Sequence, residues 1–357
     1  MIDTIVIGAG PAGVLAALRA ADLGARTMLV TRAEFGGMAA NDGPVPVRTL
    51  AHAARLIREA RQLGQYGIGV GEPVLDYPRL LARVREVVDD VCVHSSLRRQ
   101  IDSLGVIVHE HAGVARFADQ HTVETEDGLR LQAEKIIICT GGVSRRLSVP
   151  GFELASIHSD AWELTSIPSS MLVIGAGATG VQIASIFNAF GSRIQLFETG
   201  PRILPSEDED VSAAVAAAFR ESGIVVHENF GVIEYFEKTR TGVRMIFSRN
   251  GNRESAEATL AVLAIGWVAD TAGLRLATAA SRPIIGGSCR LMVSADFHAP
   301  YLRRWGHYRS PDAGPSGITG RLRGGYQRRA RPDYEDWGPG VSDRQLHGPG
   351  VCPGGSY

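Results

Sequence analysis

Lysine, paired cysteine and long apolar runs are all scarce in this sequence. The 357 residues contain lysine only at Lys135 and Lys238, so arginine supplies nearly all the positive charge. Acidic and basic residues almost balance, and the net charge is −1. A balanced charge offers no electrostatic footprint for nucleic acid or for an anionic membrane surface. The apolar runs are too short to cross a bilayer. We therefore expect no nucleic acid partner, no membrane partner and a cytoplasmic location.

The few cysteines are widely separated, at Cys92, Cys139, Cys289 and Cys352. Their spacing fits neither the disulfide framework of a small secreted domain nor a zinc site. The histidines show no ligand spacing on one helix face, so no metal is predicted. Residues 1–8 have no basic region before their apolar run, and the pattern therefore predicts a strand rather than a signal peptide.

A glycine-rich turn follows the first apolar run. Residues 5–7 are typical of a buried parallel strand, and an alanine-rich helix follows the turn. In such a turn the first glycine permits the tight bend, the second lets the backbone approach a pyrophosphate and the third lets helix and strand pack closely. The pattern predicts a dinucleotide site formed by Gly8, Gly10, Pro11, Ala12 and Gly13. The next strand ends at Thr31 instead of the usual ribose-binding acid, so only a weaker hydroxyl contact is expected there.

A second turn of the same kind follows the apolar residues 171–174. Its helix and next strand lead to Glu198, about twenty residues beyond the last glycine, which completes the fingerprint. The predicted dinucleotide contacts are Gly175, Gly177, Thr179, Gly180 and Glu198. A carboxylate can accept hydrogen bonds from both ribose hydroxyls, which favours NAD(H); Arg202 lies close by and leaves NADP(H) open.

The loop at residues 35–50 resembles that of the pyridine nucleotide-disulfide oxidoreductases, in which the stretch reads GGTCxNxGCxPSKxL. The residues that match this motif, with no insertion or deletion between them, are Gly36, Gly37, Asn41, Gly43, Pro46 and Leu50. The resemblance extends to about residue 280. It implies an FAD site that includes Gly36, Gly37, Met38, Gly113, Thr140 and Gly141. It also implies that Gly266 belongs to the strand that closes the NAD(H) site.

The resemblance implies an α/β fold with two Rossmann-like (three-layer ββα) dinucleotide-binding domains. An NAD(H)-binding domain at 151–270 would interrupt an FAD-binding domain at 1–150, to which the chain would return at 271–280. The implied activity is that of an FAD-dependent NAD(P)H oxidoreductase, with hydride transfer from NADH to flavin N5. A non-catalytic NAD(H)-binding remnant of such an enzyme is the alternative.

Four positions depart from the family pattern at the reactive site. The two redox cysteines correspond to Ala39 and Pro44, which have no sulfur, so we expect a small-molecule electron acceptor that is not a disulfide. The family's flavin-side lysine and its glutamate partner correspond to Arg48 and Gln182. The resemblance makes these two residues catalytic candidates, with Arg48 stabilising an anionic flavin. The alternative is that Arg48 only caps or solvates a helix start.

Residues 281–357 differ in character from the rest of the chain. They are rich in glycine and proline, contain no lysine and show neither helical nor strand periodicity. Read one base later, their codons permit the family's missing Gly-Asp motif and its flanking segments. We therefore expect an irregular, out-of-frame tail that replaces the rest of the FAD domain and the family's dimerisation domain, and weak FAD binding as a result. The alternative is a divergent Arg/Gly tail that binds nucleic acid.

Overall fold

The computed structural model describes residues 2–279 and the backbone of 289–291. The first half of the described chain forms a sheet with strand order β3-β2-β1-β6-β5-β4. Its strands are β1 (Ile2–Ile7), β2 (Thr27–Val30), β3 (Ile107–His109), β4 (Arg116–Phe117), β5 (Thr122–Glu124) and β6 (Arg130–Ile138). The helices between them are α1 (Pro11–Asp22), α2 (Gly37–Asn41), α3 (Pro44–Gln62), α4 (Tyr77–His94) and α5 (Ser96–Ser103). A 3-10 helix at Leu63–Tyr66 follows α3.

A second parallel sheet, with order β11-β10-β9-β15-β8, forms in the middle of the chain. Its part of the chain begins with β7 (Gly142–Ser144), β8 (Ser156–Ile157), α6 (His158–Trp162), β9 (Ser170–Ile174), α7 (Ala178–Ala189) and β10 (Arg193–Glu198). It continues with α8 (Glu209–Glu221), β11 (Val225–Glu228), β12 (Val232–Lys238), β13 (Val243–Arg249), β14 (Asn252–Ala258), β15 (Leu260–Leu263) and β16 (Trp267–Ala269). Strands β12 to β14 form an antiparallel sheet of their own. The last described helix is α9 (Leu276–Ala279), and 3-10 helices lie at Phe152–Leu154 and Ala272–Leu274.

The central strand of each of these two sheets contains an uninterrupted apolar run, residues 5–7 in β1 and 171–174 in β9. Strand β1 lies between β2 and β6, and β9 lies between β10 and β15, all in parallel. Val6 and Val173, in the middle of these runs, are fully buried. Parallel strands are covered on both faces, which requires apolar residues at successive positions rather than at alternate ones. The predicted α/β fold with two Rossmann-like sheets is therefore confirmed.

An antiparallel ribbon holds together the two places where the chain passes between the sheets. Strand β7 leaves the first sheet, β16 returns to it, and Val143 pairs with Val268 in the ribbon. Helix α3 adds a second connection, because its Val47, Leu50 and Ala54 share one apolar core with α7 and β9. The predicted domain boundaries at 150 and 270 lie a few residues from this ribbon and stay predictions.

One short strand, β17 (Cys289–Leu291), lies inside the segment for which no regular structure was expected. It pairs in parallel with β6, with Arg290 opposite Ile137. Strand β5 pairs only with the beginning of β6, at residues 130–132, so that the later backbone groups of β6 need another partner. The other residues of 281–357 lie outside the described part of the chain, and so do the predictions of an out-of-frame tail and a missing dimerisation domain. Among the described helices, none is long and apolar enough to cross a membrane.

The close approach of α1 to β1 gives a first testable prediction. A Cβ atom on Gly13 would lie 1.7 Å from the carbonyl oxygen of Gly8, a contact that only a backbone shift could relieve. We predict that Gly13→Ala lowers the free energy of unfolding by about 3 kcal/mol. The control is Gly69→Ala, because a Cβ there meets no atom within 4 Å. Urea denaturation of both variants measures the difference, and equal midpoints would contradict the packing.

Candidate functional sites: two cavities and the polar groups between them

The first cavity has a volume of about 520 Å³ and lies beyond the carboxyl ends of β1, β2 and β6. Ligands bind at this edge of open parallel sheets, because the loops that leave the strand ends converge there. Ten of the predicted residues line it: Gly8, Gly10, Pro11, Ala12, Thr31, Gly37, Met38, Gly113, Thr140 and Gly141.

Two other predicted residues support the first cavity from behind its wall. Gly13 lies where α1 touches the backbone of Gly8. Gly36 adopts a φ of 97°, and its N–H donates a hydrogen bond of 3.0 Å to the carbonyl of Ala9. This bond ties the loop that carries Met38 to the first glycine turn.

Gly10 tests whether the first cavity suits a bound nucleotide. Its φ of −73° is available to any residue, and a Cβ on it would meet no protein atom within 4 Å. Neither backbone strain nor packing within the protein therefore requires glycine here. Because Gly10 lines the cavity, an added Cβ would occupy the space of a ligand. The close approach of a pyrophosphate explains this glycine, and the residues fit the group.

The start of α1 is also suited to an anion. No side chain caps this helix, and its first turn contains no acidic residue. The first N–H groups of a helix lack partners within the helix and form the positive end of its dipole. By contrast, Asp76 and Ser95 cap α4 and α5 with their side chains. The uncapped start of α1 at the cavity is therefore available to a phosphate.

The second cavity has a volume of about 260 Å³ and repeats this arrangement at the end of β9. Five predicted residues line it: Gly175, Gly177, Thr179, Glu198 and Gly266. Gly177 matches Gly10, with an ordinary φ of −70° and no atom within 4 Å of an added Cβ. Gly180 matches Gly13, since its Cβ would lie 1.8 Å from the carbonyl oxygen of Gly175. Helix α7 also starts without a capping side chain or an acid.

Backbone hydrogen bonds fix the carboxylate of Glu198 at the second cavity. One of its oxygens accepts from the N–H of Ala176 at 2.9 Å, and the other accepts from Gly200 at 2.8 Å. The oxygen that binds Gly200 also accepts from the Thr199 hydroxyl at 3.3 Å, so the lone pair left for a further donor is on the oxygen that binds Ala176. Arg202, which left NADP(H) open, donates instead to the carbonyl oxygens of Glu207 and Pro205, at 2.8 and 3.3 Å. It is not among the residues that line this cavity.

The two catalytic candidates lie away from both cavities. Arg48 is exposed on α3 and lines a groove beside α4, together with Thr49 and His52. Gln182 is exposed on α7. Among the hydrogen bonds of the described residues, none joins them. Their roles at a flavin, which rest on the family motif, therefore stay predictions.

The two cysteines with described side chains are poorly suited to thiol chemistry. Cys139 lines the first cavity, and burial raises the pKa of its thiol to about 11. Cys92 lies 3.4 Å from the side-chain oxygen of Asn41, and burial together with nearby carboxylates raises its thiol pKa as well. Both are free. Because exchange requires a thiolate, these raised pKa values disfavour it at either residue.

Several polar residues that line the cavities were not predicted from the sequence. Glu34, Asp42 and Asp270 line the first cavity, and Ser144, His158 and Trp267 line the second. Asp270 forms an ion pair with Arg32, at 3.3 Å. Asp42 occupies a variable position of the family loop, and His158 follows a two-residue strand, so neither stands out by spacing.

A buried histidine lies at the second cavity. Only 4% of the surface of His158 is exposed, and the ring meets Trp267 edge-on, with centroids 4.2 Å apart. Its Nδ1 lies 2.7 Å from the Ser144 hydroxyl and its Nε2 lies 3.1 Å from the Ser159 hydroxyl. Ser159 in turn donates to Asp42 at 2.6 Å. Burial lowers the pKa of His158 to about 4, against the opposing effect of Asp160, so the ring is neutral at pH 7.

Comparison with known proteins identifies the family. The family model described as pyridine nucleotide-disulphide oxidoreductase matches residues 2–284. This chain belongs to that family. A dihydrolipoyl dehydrogenase of Zymomonas mobilis is 32% identical over 285 residues, which cover 77% of this chain and 59% of the relative. A dihydrolipoyl dehydrogenase of Thermus scotoductus is also 32% identical and covers 82% of this chain and 64% of the relative.

The fold agrees with a solved structure. The HOCl-induced flavoprotein disulfide reductase RclA of Escherichia coli is 24% identical, with a TM-score of 0.64, over 77% of this chain and 59% of RclA. The chain thus spans about three fifths of the length of RclA and of the Zymomonas relative.

The buried neutral state of His158 predicts a dependence of stability on pH. The unfolded chain protonates this residue near pH 6.5, whereas the folded protein does so only near 4. The unfolded state therefore binds more protons between these values, and stability is lost as the pH falls through this window. The loss attributable to His158 is about 3 kcal/mol.

His158→Gln removes this titration and keeps a side chain that can form hydrogen bonds. We expect the free energy of unfolding of the wild type, relative to the variant, to fall between pH 7.5 and 4.5. Burial raises the pKa of Asp42, which acts in the opposite direction but is common to both proteins. Parallel pH profiles of wild type and variant would show that His158 is not held neutral.

Proposed function

We propose that this chain is an FAD-dependent oxidoreductase that takes electrons from NADH and passes them to a small-molecule acceptor other than a disulfide. Membership of the family supports an oxidoreductase that uses a pyridine nucleotide. The observation that carries the finer statement is the duplicated cavity. Gly10 and Gly177 each line a cavity, and neither backbone conformation nor contact with another protein atom requires glycine at these positions. Two adjoining nucleotide cavities are the arrangement that exchange between two dinucleotides needs.

In this proposal the first cavity holds FAD. The uncapped start of α1 and Gly10 would bind the pyrophosphate. Thr31 is buried at the cavity with a hydroxyl for the ribose, and Glu34 lines the same wall with a carboxylate. Glu34 would supply the carboxylate acceptor that is missing at position 31. The chemistry that bound FAD supplies is acceptance of a hydride equivalent at N5 and two-electron exchange with the acceptor.

The second cavity would hold NAD(H), with Glu198 on the adenosine ribose. Both carboxylate oxygens are oriented by backbone N–H groups, so little entropy remains to be lost on binding. A carboxylate repels a 2′-phosphate, and Arg202 is engaged with backbone carbonyls. Glu198 would therefore repel the 2′-phosphate of NADP(H), and Arg202 is not available to bind it. Both points support NAD(H) as the nucleotide.

The proposed acceptor class follows from the loop at the first cavity. Reduction of a disulfide by the family route requires a thiolate at the positions of Ala39 and Pro44. The thiols of Cys92 and Cys139 have raised pKa values and lie elsewhere. A quinone, oxygen or another small electron acceptor needs no sulfur on the protein.

The test combines flavin absorbance with anaerobic addition of NADH to the purified full chain. Because the sequence predicts weak FAD binding, the chain is first loaded with added FAD and freed of unbound nucleotide; we predict flavin absorbance that bleaches with NADH and returns on addition of a quinone. Gly10→Ala should abolish flavin retention, and Gly177→Ala should retain flavin but weaken NADH binding by at least about tenfold, since the methyl group blocks the pyrophosphate. Gly69→Ala is the control and should match the wild type.

Each other outcome identifies a different error. The protein could be colourless and still bind NADH, with binding lost in Gly177→Ala. This result would establish the alternative of an NAD(H)-binding remnant, and it would agree with the weak FAD binding expected from the sequence. Flavin that stays oxidised with NADH would refute the proposed electron donor. Reduction of lipoamide or glutathione disulfide by this chain would refute the acceptor class.

The choice of nicotinamide nucleotide gives a separate prediction. We expect Glu198→Gln to weaken NADH binding by about tenfold, because one charge-assisted hydrogen bond to the ribose becomes a neutral one. Binding of NADPH should change less, since removal of the negative charge also removes the repulsion of the 2′-phosphate. Titration of both nucleotides measures the ratio of the two affinities. An unchanged ratio would show that Glu198 does not contact the ribose.

A further inference from the structure

Successive hydrogen bonds connect the two cavities through the interior. Asp42 lines the first cavity, where 37% of its side chain is exposed. Its carboxylate accepts from the hydroxyl of Ser159 at 2.6 Å, and that hydroxyl lies 3.1 Å from Nε2 of His158. Nδ1 of His158 lies 2.7 Å from the hydroxyl of Ser144. His158 and Ser144 both line the second cavity.

This connection joins distant parts of the sequence. Asp42 follows α2, Ser159 and His158 begin α6, and Ser144 ends β7 of the ribbon between the sheets. Trp267, on the other strand of the ribbon, covers the edge of the imidazole. The arrangement lies among buried residues of α6, so that the hydrogen bonds form in a medium of low polarity, where they are strong.

The hydrogen atoms of these four hydrogen-bonded side chains can take one of two consistent arrangements. While Asp42 is ionised it can only accept, so Ser159 donates to it, Nε2–H of His158 donates to Ser159, and Ser144 donates to Nδ1. When Asp42 is protonated it donates to Ser159, which then donates to Nε2, so the proton of His158 lies on Nδ1. Each bond reverses, and a neutral histidine serves in both arrangements.

We propose that these four side chains form a proton relay between the two cavities: Asp42, Ser159, His158 and Ser144. The relay deepens the function proposed above and rests on it, since it supplies the proton that acceptor reduction requires. In this role Asp42 is the catalytic residue that meets the acceptor. Ser159, His158 and Ser144 are positioning residues that replace its proton.

The balance of the reaction requires such a group. A two-electron acceptor that becomes its dihydro form gains two electrons and two protons. The hydride equivalent of NADH carries both electrons and one of the protons. The O–H bond of Asp42 breaks to give the second, which leaves a carboxylate. One solvent proton, taken up as hydronium at the second cavity, then neutralises this carboxylate: it protonates Ser144 as Ser144 protonates Nδ1, Nε2–H protonates Ser159 and Ser159 protonates Asp42. Exchange of the ring proton with solvent returns His158 to the Nε2–H tautomer before the next proton passes through the relay.

The charges around the relay favour a proton at its Asp42 end. Burial raises the pKa of Asp42, and the carboxylates of Glu163 and Asp160 raise it further, although the hydrogen bond from Ser159 lowers it. Asp160 acts electrostatically on His158, and a carboxylate oxygen of Asp42 lies 3.9 Å from its Nε2. Burial keeps the imidazole neutral, so a proton passes through the relay without stopping as an imidazolium.

The tautomer of His158 reports the direction of the relay without any need for activity. In the full chain labelled with ¹⁵N-imidazole histidine, the signals of His158 are those missing from His158→Gln. We predict that a neutral ring changes from the Nε2–H to the Nδ1–H tautomer as the pH is lowered through the pKa of Asp42. Asp42→Asn should make the tautomer independent of pH, and Ser159→Ala should do the same by breaking the connection.

Two further variants serve as controls for these effects. Ser159→Thr keeps the hydroxyl and should keep the tautomer change, even if packing shifts slightly. Glu163→Gln removes an exposed carboxylate near the relay without touching it, so the change should remain and should move to lower pH. A ring that titrates to imidazolium near pH 6.5, or a tautomer change that survives in Ser159→Ala, would overturn the relay.

A kinetic measurement then connects the relay with the reaction. We predict that kcat for quinone reduction falls about 100-fold or more in Asp42→Asn and Ser159→Ala, the range that general acids contribute. NADH binding should stay unchanged, and the pH dependence of kcat should disappear. Activity of these variants equal to that of the wild type would refute the catalytic role.

The two proposals fail in different ways. A wild type without NADH-dependent reduction of any acceptor would refute the proposed function, and the tautomer experiment would still decide whether the relay exists. An active wild type with a fixed His158 tautomer would refute the relay alone.

Discussion

Both cavities of this molecule depend on one contact, between the start of a helix and the glycine turn that follows the preceding strand. At Gly13 and again at Gly180, the helix lies so close to the preceding glycine turn that no Cβ atom fits between them. This contact aims an uncapped helix start at the edge of a parallel sheet, where N–H groups and the helix dipole favour an anion. Both cavities follow from this one packing constraint, and so does the space beside Gly10 and Gly177 that no protein atom fills.

The ribbon of β7 and β16 brings the two repeats into relation. It joins the sheets at the only points where the described chain passes between them, and its side chains form part of the second cavity. Because Ser144 and Trp267 belong to opposite strands of the ribbon, the same element that connects the sheets also encloses His158. A structural connection thereby becomes a connection between two sites.

The sequence predicts what depends on local spacing. The glycine turns, the buried strands and Glu198 follow from short-range rules, and the structure places fifteen of the predicted residues on the two cavities. Long-range contacts were not predictable: Ser159 meets Asp42 across 117 positions, and no periodicity links them. Arg48 shows a different limit of prediction from sequence. The motif predicts which residue corresponds to the family's lysine, but the face of α3 on which Arg48 lies determines where its side chain points. The strand β17 was missed because its pattern is too short, and the unpaired edge of β6 selects it.

In the proposed function, the absence of sulfur from one loop and the proton donor Asp42 in the same loop meet a single chemical requirement. A disulfide that is reduced yields thiols, which store electrons and bind protons themselves. With alanine and proline at 39 and 44, this loop can do neither, and an acceptor that is not a disulfide must receive its protons from another group. Asp42 lies between these two positions, at the edge of the first cavity, with its backbone N–H bonded to the carbonyl of Met38. Burial favours its protonated form, and in the proposed relay this carboxyl group would supply the proton that a loop without sulfur cannot supply through a thiol.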